Sequence, residues 1–327
     1  MPPQEIILSV LRLQNGYISG KNLSNETGIS ISAISKWIKI LRKCGYNIES
    51  RHSIGYRLTG ETNLPVPWEL ARVLDTIFVG KAKIIYRRTT HSTQNLAILL
   101  AEKNPDSDGI VIIAEQQKSG RGRENRKWLS PKGGIWLSVI IRPRMPASII
   151  TLLPFAAALA VCEAIKKTTQ LDAKLRWPND VIISSKKVAG ILIDSSIEAE
   201  RINYAVIGIG VNANVKSSLI SSHLEKSIKV TSLSEELGHE TSIFGLTKEI
   251  LERLEYYHIQ MEHSVPHTII DKWKKNSDIL GQKVAIMQRN RTIQGMVADV
   301  KDDGSLVVRA DNCEDIDVVA SDVYVRY

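Results

Sequence analysis

The chain has 327 residues, of which 43% are hydrophobic and 24% are charged. This balance is average for globular proteins and excludes collagen-like, coiled-coil and wholly disordered classes. The excess of 43 Lys and Arg over 35 Asp and Glu gives a net charge of +8, which is compatible with a polyanionic partner but does not require one. At roughly 100–200 residues per domain, the length predicts two or three domains.

The cysteines and the apolar segments of the chain indicate its cellular compartment. Cys44, Cys162 and Cys313 form no closely spaced pair, which is typical of reduced thiols in a cytoplasmic protein. The first residues lack the basic region and long apolar stretch of a secretory signal. The most apolar segment, 149–165, contains a proline and a glutamate and predicts a buried helix rather than a membrane span. We therefore expect a cytoplasmic protein without a membrane partner.

Charge and pattern divide the chain into three modules. Residues 1–62 hold eight basic and four acidic residues, whereas residues 278–327 hold six and nine. Between them, the prolines of the stretch 60–68 predict a linker. Short β-branched runs separated by Gly, Asp and Asn after residue 278 predict a small β-barrel. We expect domains at 1–62, 63–277 and 278–327.

The first module has the pattern of three helices and a hairpin. The predicted helices cover residues 6–13, 21–27 and 30–44. Gly28 suits the tight turn between the second and third helices. Four apolar residues of the third helix recur at three- and four-residue spacing and are expected to face the core: Ile31, Ile34, Ile38 and Leu41. Residues 47–58 predict a two-stranded wing with Arg51 near its tip.

Hydroxyls and cations remain on the outer face of the third helix, as a reader of the DNA major groove requires. Phosphate contacts are expected from Lys36, Lys39, Lys43 and Arg51, and base contacts from Ser32, Ser35 or Lys36. The module resembles a winged helix-turn-helix, which implies DNA binding. The alternative is a three-helix domain whose basic face is only solvated.

The central module alternates helical and strand patterns, which predicts a mixed sheet with helices. Helices are predicted at 92–103, 149–168 and 248–263, and strands at 83–88, 110–116, 135–141, 188–194 and 204–209. Ser92 and Thr93 stand where the first of these helices begins. Their hydroxyls are expected either to cap that helix or to point at a ligand.

A glycine- and arginine-rich segment follows at 115–128. Gly120 and Gly122 alternate with Arg121 and Arg123 there. The spacing matches neither a Walker A loop nor a dinucleotide fingerprint. So much glycine and like charge predicts a mobile cationic loop that becomes ordered by wrapping a polyphosphate. A surface loop that is merely solvated is the alternative.

Two further segments are rich in glycine and polar residues. The turn 177–180 precedes Lys187, which enters an apolar strand and is costly there unless it meets an anion. The alternative is a lysine whose amine reaches solvent. Gly190 would let a ligand approach the strand backbone. The run 204–214 predicts a strand followed by a turn, which alone is weak evidence for a functional site.

Together these segments contain GRGR…W, WPND, K-x-AGIL and GIGVN, in that order. This combination resembles the biotin–protein ligases, and with the winged helix in front the whole chain is similar to their bifunctional members, which also repress the biotin operon. The resemblance implies an α+β protein. Its central sheet domain would be akin to class II aminoacyl-tRNA synthetases, and its C-terminal module would be an SH3-like barrel.

The resemblance also implies a reaction with biotin, ATP and Mg²⁺. Biotin and ATP would give biotinyl-5′-AMP, and the biotinyl group would pass to a lysine of a biotin carboxyl carrier domain. Arg121, Arg123 and Lys187 would be the catalytic cations, because two anions must be brought together. A cytoplasmic homodimer that binds operator DNA is implied as well.

Individual roles follow from the same resemblance. Biotin would be bound by Ser92, Thr93, Gln116, Gly120, Arg121, Arg123, Lys187, Gly190 and the backbone of Val211. ATP would be bound by Arg121, Arg123, Trp128, Asn179, Lys187 and Asn212. No direct metal motif is present, although Asp180 is expected near Mg²⁺.

Two positions depart from the family pattern. The loop commonly continues as GRGRRGR, whereas Glu124-Asn125-Arg126 follows here, and Arg176 replaces a common Lys before WPND. Three alternatives stay open: a ligase whose N-terminal domain does not regulate, a DNA-binding regulator that only senses a small molecule, and a related lipoyl or acyl ligase. Neither HExxH nor GxSxG occurs, so a zinc protease and an α/β-hydrolase are disfavoured.

Overall fold

The computed structural model describes residues 2–198, 201–221, 229–263, 267–288, 291–311, 313–319 and 323–326. The chain divides into two compact units, Met1–Arg72 and Val73–Tyr327. Residues 63–72, which we expected to belong to the second module, therefore group with the first unit.

The first unit contains four helices and a hairpin within its described residues. The elements are α1 (Pro3–Leu13), α2 (Gly20–Thr27), α3 (Ile31–Lys43), β1 (Asn47–Arg51), β2 (Gly55–Gly60) and α4 (Pro67–Val73). Gly28 ends α2 with φ of 69°, a left-handed conformation that favours glycine. The hydroxyl of Ser30 accepts a hydrogen bond from the amide of Ala33 and caps α3.

The core of this unit contains three of the four predicted residues of α3. Ile34, Ile38 and Leu41 are buried, and they pack with residues of α1 and the wing. Ile31 was predicted to face this core, and that prediction is wrong, since its side chain is 53% exposed. Ile31 is the first residue of α3, where the helix end projects into solvent.

A buried carboxylate joins α4 to this unit. Glu69 is 4% exposed and accepts hydrogen bonds from the Tyr46 hydroxyl at 2.6 Å and from Arg12 at 2.5 Å. Arg72 donates to its other oxygen at 3.0 Å. Part of the predicted linker is therefore a helix, which begins at Pro67, a position where proline's missing N–H costs little.

The second unit is built on a seven-stranded sheet. Its strands are β3 (Ile84–Arg87), β4 (Val111–Ala114), β7 (Ile135–Ile141), β8 (Lys174–Arg176), β9 (Asp180–Ile183), β10 (Lys186–Glu198) and β11 (Arg201–Val211). The spatial order is β3-β4-β7-β11-β10-β9-β8, with one parallel pair, β3 and β4. The remaining neighbours are antiparallel, so the sheet is mixed, as predicted.

Helices cover this sheet and its ends. They are α5 (Thr93–Lys103), α6 (Leu153–Thr169), α7 (Ser217–Ser221), α8 (Leu233–Leu237), α9 (Ile243–His263) and α10 (His267–Lys275). One helical stretch, Ala147–Thr169, has the length and hydropathy of a membrane span. Of its most apolar window, 67% is buried inside the protein, as in the core helix of a soluble protein, so the signal for a membrane span is weak.

The glycine- and arginine-rich segment differs from the predicted loop. It forms a hairpin in which β5 (Gln117–Arg121) pairs with β6 (Lys127–Ser130) across a turn at Arg123–Asn125. A Cβ on Gly120 would stand 2.3 Å from the Trp128 carbonyl oxygen, so this glycine permits close strand pairing. The prediction of an unpaired loop is therefore wrong, because backbone pairing outweighs the charge repulsion.

The C-terminal part forms a second, smaller sheet. Its antiparallel strands are β12 (Lys283–Gln288), β13 (Arg291–Val300), β14 (Leu306–Ala310), β15 (Asp315–Val318) and β16 (Val323–Arg326), in the order β15-β14-β13-β12-β16. The small β module predicted after residue 278 is confirmed. With the helical first unit and the mixed central sheet, the protein belongs to the α+β class.

The three cysteines are free thiols. Cys162 lies in α6 and is fully buried, and burial raises the pKa of its thiol to about 12. Cys313 is exposed. No disulfide therefore contributes to this fold.

Candidate active site

A cavity of about 660 Å³ opens on one face of the seven-stranded sheet. Most of its lining comes from the hairpin β5–β6, the first turn of α5, β7, the turn 177–179, and the glycine-rich parts of β10 and β11. Further lining residues include Ile220, Lys229, Val230, Asp278 and Gln282. These elements come from distant parts of the chain. The cavity therefore exists only because the sheet order brings the predicted motifs together.

Three predicted cations line the cavity: Arg121, Arg123 and Lys187. The Lys187 ammonium lies 2.6 Å from an oxygen of Asp180. Arg123 donates to the side-chain oxygen of Asn179 at 3.4 Å. Each of these two cations is thus held by a residue of the WPND motif.

Arg121 is held from another side of the cavity. It donates to the side-chain oxygen of Asn95 at 2.9 Å and forms an ion pair with Asp194 at 3.4 Å. The Arg121 side chain is still about one-third exposed, which keeps it accessible to an anionic ligand. The cations of the site therefore line one cavity, and their ion pairs and hydrogen bonds already hold them in defined orientations.

The Trp128 indole lies across two glycines on neighbouring strands. Gly190 and Gly210 are register partners on β10 and β11, and a Cβ on either would stand 2.9 Å or 2.5 Å from the nearest indole atom. The Lys187 ammonium lies 5.0 Å from the centroid of the same ring, a cation–π distance. We predicted that Gly190 lets a ligand approach the strand. In the structure, its missing side chain makes room for the Trp128 ring.

A buried polar cluster forms the inner end of the cavity. The Ser138 hydroxyl oxygen lies 2.9 Å from both the Thr93 hydroxyl and the Gln94 side-chain oxygen, within hydrogen-bond distance of each. The Gln117 side-chain oxygen accepts from the amide of Thr93 at 2.7 Å. The Gln94 amide group donates to Asp194 at 2.9 Å, which connects the cluster to the partner of Arg121.

Several of these residues were missed by sequence reasoning. Gln94, Gln117 and Ser138 line the cavity, but they carry no motif, and their partners are 13 to 112 residues away in the chain. Gln94 follows Thr93 at the start of a helix, and this position is the only local signal. Such a network is visible only once the strands are paired.

Three of the predicted biotin-binding residues lie outside the cavity lining. Gln116 instead donates to the Thr89 hydroxyl at 2.8 Å, and its neighbour Gln117 lines the cavity. Gly120 lies inside the hairpin, and Val211 is fully buried at the end of β11. Ser92 caps α5, which confirms the first interpretation, and it also lines the cavity, where its role toward a ligand stays a prediction.

Asn212 brings a buried acceptor to the cavity. Its side chain is 1% exposed, and its Nδ2 group donates to the Thr231 carbonyl at 3.1 Å. This bond directs Oδ1 the other way, and that buried atom has no hydrogen-bond partner among the described residues. A buried acceptor without a partner is costly, and a ligand donor would satisfy it.

The two departures from the family pattern are both at the cavity. Glu124 adopts a left-handed conformation, with φ of 55°, and pairs with Arg126 within the hairpin turn. Arg176 also lines the cavity, and it donates to the Ser185 carbonyl at 3.4 Å. The loop thus carries an internal ion pair beside Arg123.

The carboxylates of the cavity do not form a metal cage. Across the described residues, no group of three His, Cys, Asp or Glu side chains is placed to hold a metal ion. Asp180, Glu124 and Asp278 line the cavity, and Asp180 contacts the Lys187 ammonium. Magnesium needs only one or two protein carboxylates when phosphates supply its other ligands. These donors fit an ion that enters together with a nucleotide.

The first unit presents a separate basic face. Lys36, Lys39 and Lys43 project from α3 into solvent, as predicted, and Ser32 is exposed beside them. Ser35 is half-buried, and Arg51 lies at the end of β1 with its guanidinium 4.8 Å from the Tyr17 ring centroid. The predicted DNA-binding residues therefore lie on the third helix and the wing.

Three protein families match separate parts of the chain. The family described as "Biotin/lipoate A/B protein ligase family" matches residues 86–212. One described as "HTH domain" matches residues 4–57, and one described as "Biotin protein ligase C terminal domain" matches residues 279–326.

Curated relatives resemble the chain over most of its length. The "Bifunctional ligase/repressor BirA" of Bacillus subtilis is 33% identical over 297 residues, which cover 90% of each chain. The protein of the same name from Escherichia coli is 26% identical over 91% of this chain and 90% of its own. Among solved structures, the biotin protein ligase from Aquifex aeolicus in complex with biotin and ATP is 26% identical. It has a TM-score of 0.62 over 74% of this chain and 98% of its own.

Proposed function

The chain belongs to the biotin protein ligase family, and on that premise we propose that it activates biotin with ATP and transfers the biotinyl group to a protein lysine. The observation that carries this proposal is the placement of Arg121, Arg123 and Lys187 around one cavity, next to a buried polar cluster and a buried acceptor. We call this cavity the adenylation site.

In the first step, a carboxylate oxygen of biotin attacks the α-phosphorus of ATP. The bond from that phosphorus to the bridging oxygen breaks, and pyrophosphate leaves with the electron pair. The two reactants are anions that repel each other, so fixed positive charge must lie between them. Arg121 and Lys187 supply this charge, and the ion pair of Lys187 with Asp180 keeps its ammonium in place. Bound Mg²⁺ would neutralise the phosphates of ATP.

In the second step, the neutral amine of an acceptor lysine attacks the acyl carbon of biotinyl-5′-AMP. The bond from that carbon to the phosphate oxygen breaks, AMP leaves, and the amine loses a proton to solvent. Arg123 is placed to hold the adenylate until the acceptor arrives. Asn179 and Asp180 orient Arg123 and Lys187 and so buttress both steps.

The polar cluster favours biotin over an apolar acyl chain. A ureido ring has two N–H donors and one carbonyl acceptor, and the hydroxyls and amides of Thr93, Gln117 and Ser138 can match both. Lipoate has no such ring and would offer these groups neither N–H donors nor a carbonyl acceptor. Ser92 at the cavity wall belongs to the same surface.

Asn212 favours adenine as the base. Its free Oδ1 is an acceptor, so it suits the exocyclic amino group of adenine and not the carbonyl oxygen of guanine at the same position. Trp128 of β6 packs against Gly190 of β10 and Gly210 of β11, and Asn212 directly follows β11. These two side chains would define the nucleotide end of the cavity.

Operator binding by a dimer completes the proposal. The basic face of α3 and the wing would contact DNA, and two copies would read a two-fold site. Among the described strands, β10 beyond Ile191 pairs with β11 on one side only, so an edge including Ile197 stays open for a second copy. We propose that this edge forms the homodimer.

The acceptor experiment tests the enzymatic half. Purified protein with labelled biotin and MgATP should label a biotin carboxyl carrier domain at one lysine, and the same domain with that lysine replaced by arginine should stay unlabelled. Unlabelled lipoate should not compete. Labelling that lipoate abolishes would instead favour a lipoyl ligase, and no labelling of the lysine-bearing domain would contradict a biotin ligase.

A further inference from the structure

One hydrogen bond connects the C-terminal sheet to the adenylation site. Trp177, which is 1% exposed, donates its indole N–H to the backbone oxygen of Gly304 at 3.0 Å. Gly304 lies in the turn 301–305, between β13 and β14. The first residue of the WPND motif is therefore bonded to a turn 127 residues later in the chain.

The residues that follow Trp177 hold two of the site's cations. Asn179 accepts a hydrogen bond from Arg123, and its own amide donates to the Ile191 carbonyl at 2.5 Å. Asp180 contacts the Lys187 ammonium at 2.6 Å. A shift of the turn 177–180 would thus move the partners of both cations.

The turn at Gly304 has little freedom to move. Gly304 has φ of +84°, and its amide donates to the Lys301 carbonyl at 2.8 Å. Asp303 accepts from both the amide and the hydroxyl of Ser305. A Cβ on Gly304 would stand 2.5 Å from a ring carbon of Phe155, so α6 fixes the turn from the other side.

A second connection supports the same end of the central sheet. Leu175 precedes the motif on β8, and its amide and carbonyl bond the Asn276 carbonyl at 2.8 Å and the Ser277 hydroxyl at 3.0 Å. Just beyond, Asp278 and Gln282 line the cavity itself. The C-terminal module therefore reaches the site region through Asp278 and Gln282 as well as through Gly304.

We propose that Trp177 and the Gly304 turn are positioning elements of adenylation, so that the C-terminal module sets where Arg123 and Lys187 stand. This role rests on the proposed ligase function. Neither residue needs to touch substrate. The competing explanation is that Trp177 only fills the core, as any buried tryptophan does.

Two matched tryptophan variants separate these explanations. Trp177→Phe keeps an aromatic ring and removes the N–H that bonds Gly304. Trp273→Phe removes the same ring volume beside Phe155, 5.3 Å away, but its indole nitrogen has no hydrogen-bond partner within the described chain. Both tryptophans are buried, so the packing losses are similar. Only Trp177→Phe removes a hydrogen bond that holds the WPND motif.

A second pair tests the turn itself. Gly304→Ala places a methyl against Phe155, whereas Gly281→Ala imposes a similar left-handed strain, with φ of +77°, in open space. If the turn positions the motif, Gly304→Ala should reproduce the effect of Trp177→Phe. Gly281→Ala should leave the kinetics close to wild type.

The readouts are kcat and KM for biotinyl-5′-AMP formation, the melting temperature, and hydrogen exchange of residues 174–192. We expect Trp177→Phe to lower kcat about ten- to hundredfold more than Trp273→Phe, since small misplacements of catalytic groups cost rate steeply. Exchange in 174–192 should rise in Trp177→Phe and Gly304→Ala, but not in Trp273→Phe or Gly281→Ala. Equal kcat and equal exchange in both variants would overturn the positioning role. The wild-type rate in the same assay reports separately on the ligase proposal.

Discussion

Lys187 is the side chain on which the proposed first step depends most. It contacts Asp180 and the Trp128 ring and stands where two anions must meet. Lys187→Ala should lower the rate of adenylate formation about 100-fold or more, as loss of a preorganised charge does in other sites. Adenylate formation is measured by biotin-dependent exchange of pyrophosphate into ATP.

Lys186 provides the control for that change. Its ammonium pairs with Glu236 at 2.8 Å, and it lies outside the cavity lining. Lys186→Ala should therefore leave the exchange rate near wild type. For each variant, the loss of activity is compared with the loss of unfolding free energy. If this ratio were the same for Lys187→Ala and Lys186→Ala, Lys187 would be a structural residue.

Arg123 should govern how long the adenylate stays bound. Its guanidinium lines the cavity and bonds Asn179. Arg123→Gly should raise the dissociation rate of biotinyl-5′-AMP by about tenfold or more, because a charge-assisted hydrogen bond is lost. Lys118→Ala, which removes an exposed cation from the same hairpin, should not. A single-turnover chase measures the rate, and unchanged retention in Arg123→Gly would refute this role.

Adjacent residues mark the limit of sequence reasoning at this scale. The family resemblance predicts one common site for five residues, and all of them line one cavity: Arg121, Arg123, Trp128, Lys187 and Asn212. The choice between Gln116 and Gln117 depends on strand register, since a shift of one residue reverses the side-chain face. No single-sequence signal fixes that register, so the sequence favoured Gln116, whereas Gln117 is the glutamine that lines the cavity.

At the scale of elements, α4 depends on a buried carboxylate. Burial alone would raise the pKa of Glu69, but hydrogen bonds from Tyr46, Arg12 and Arg72 outweigh it and hold this pKa below its ordinary value. Ionised Glu69 therefore stabilises the folded first unit above its ordinary pKa. This stabilisation is lost as the pH falls through the lowered value.

Glu69→Gln should accordingly lower the free energy of unfolding of this unit by about 1–3 kcal/mol at pH 7, the usual cost of breaking a buried hydrogen-bonded network. The difference from wild type should shrink below the ordinary value of 4.5. Glu61→Gln removes an exposed partner of the same Arg12 and should cost less. Urea unfolding of the full chain, followed by NMR of first-unit amides, measures both. A pH-independent difference would contradict the assignment.

The hairpin β5–β6 is the element that sequence reasoning predicted least well. The spacing of apolar residues predicted the neighbouring helices and strands. In the hairpin itself, the glycines and repeated charges predicted a loop instead of two paired strands. Gly120 is required by the close approach of the Trp128 carbonyl, which only the paired structure reveals. Composition therefore predicted that this segment is cationic and missed its strand pairing.

At the scale of the whole molecule, the order of modules was visible in charge and pattern, whereas the first boundary was not. Residues 63–72 contain two prolines and resemble a linker, yet they include α4 and its buried Glu69. The contacts of Glu69 with Arg12 and Tyr46 span 57 and 23 residues. Local composition does not encode partners so distant.

Regulation is also a property of the whole molecule. With biotin and MgATP present, the protein should shift the biotin-operon promoter at lower concentration than without them, because the adenylate would favour the dimer. Lys36→Ala with Lys39→Ala should weaken binding and reduce its salt dependence, with each lost phosphate contact changing the slope by about one. No shift in either state would remove the repressor role. A shift that ignores both sequence and ligand would indicate a ligase that does not regulate.

The central claim is that Arg121, Arg123 and Lys187 neutralise two anions so that they can join. The most direct measurement gives the purified full chain biotin and MgATP and separates the products by chromatography. We predict biotinyl-5′-AMP together with equimolar pyrophosphate, and neither product when biotin is omitted. Intact ATP and unmodified biotin after many hours would contradict the account.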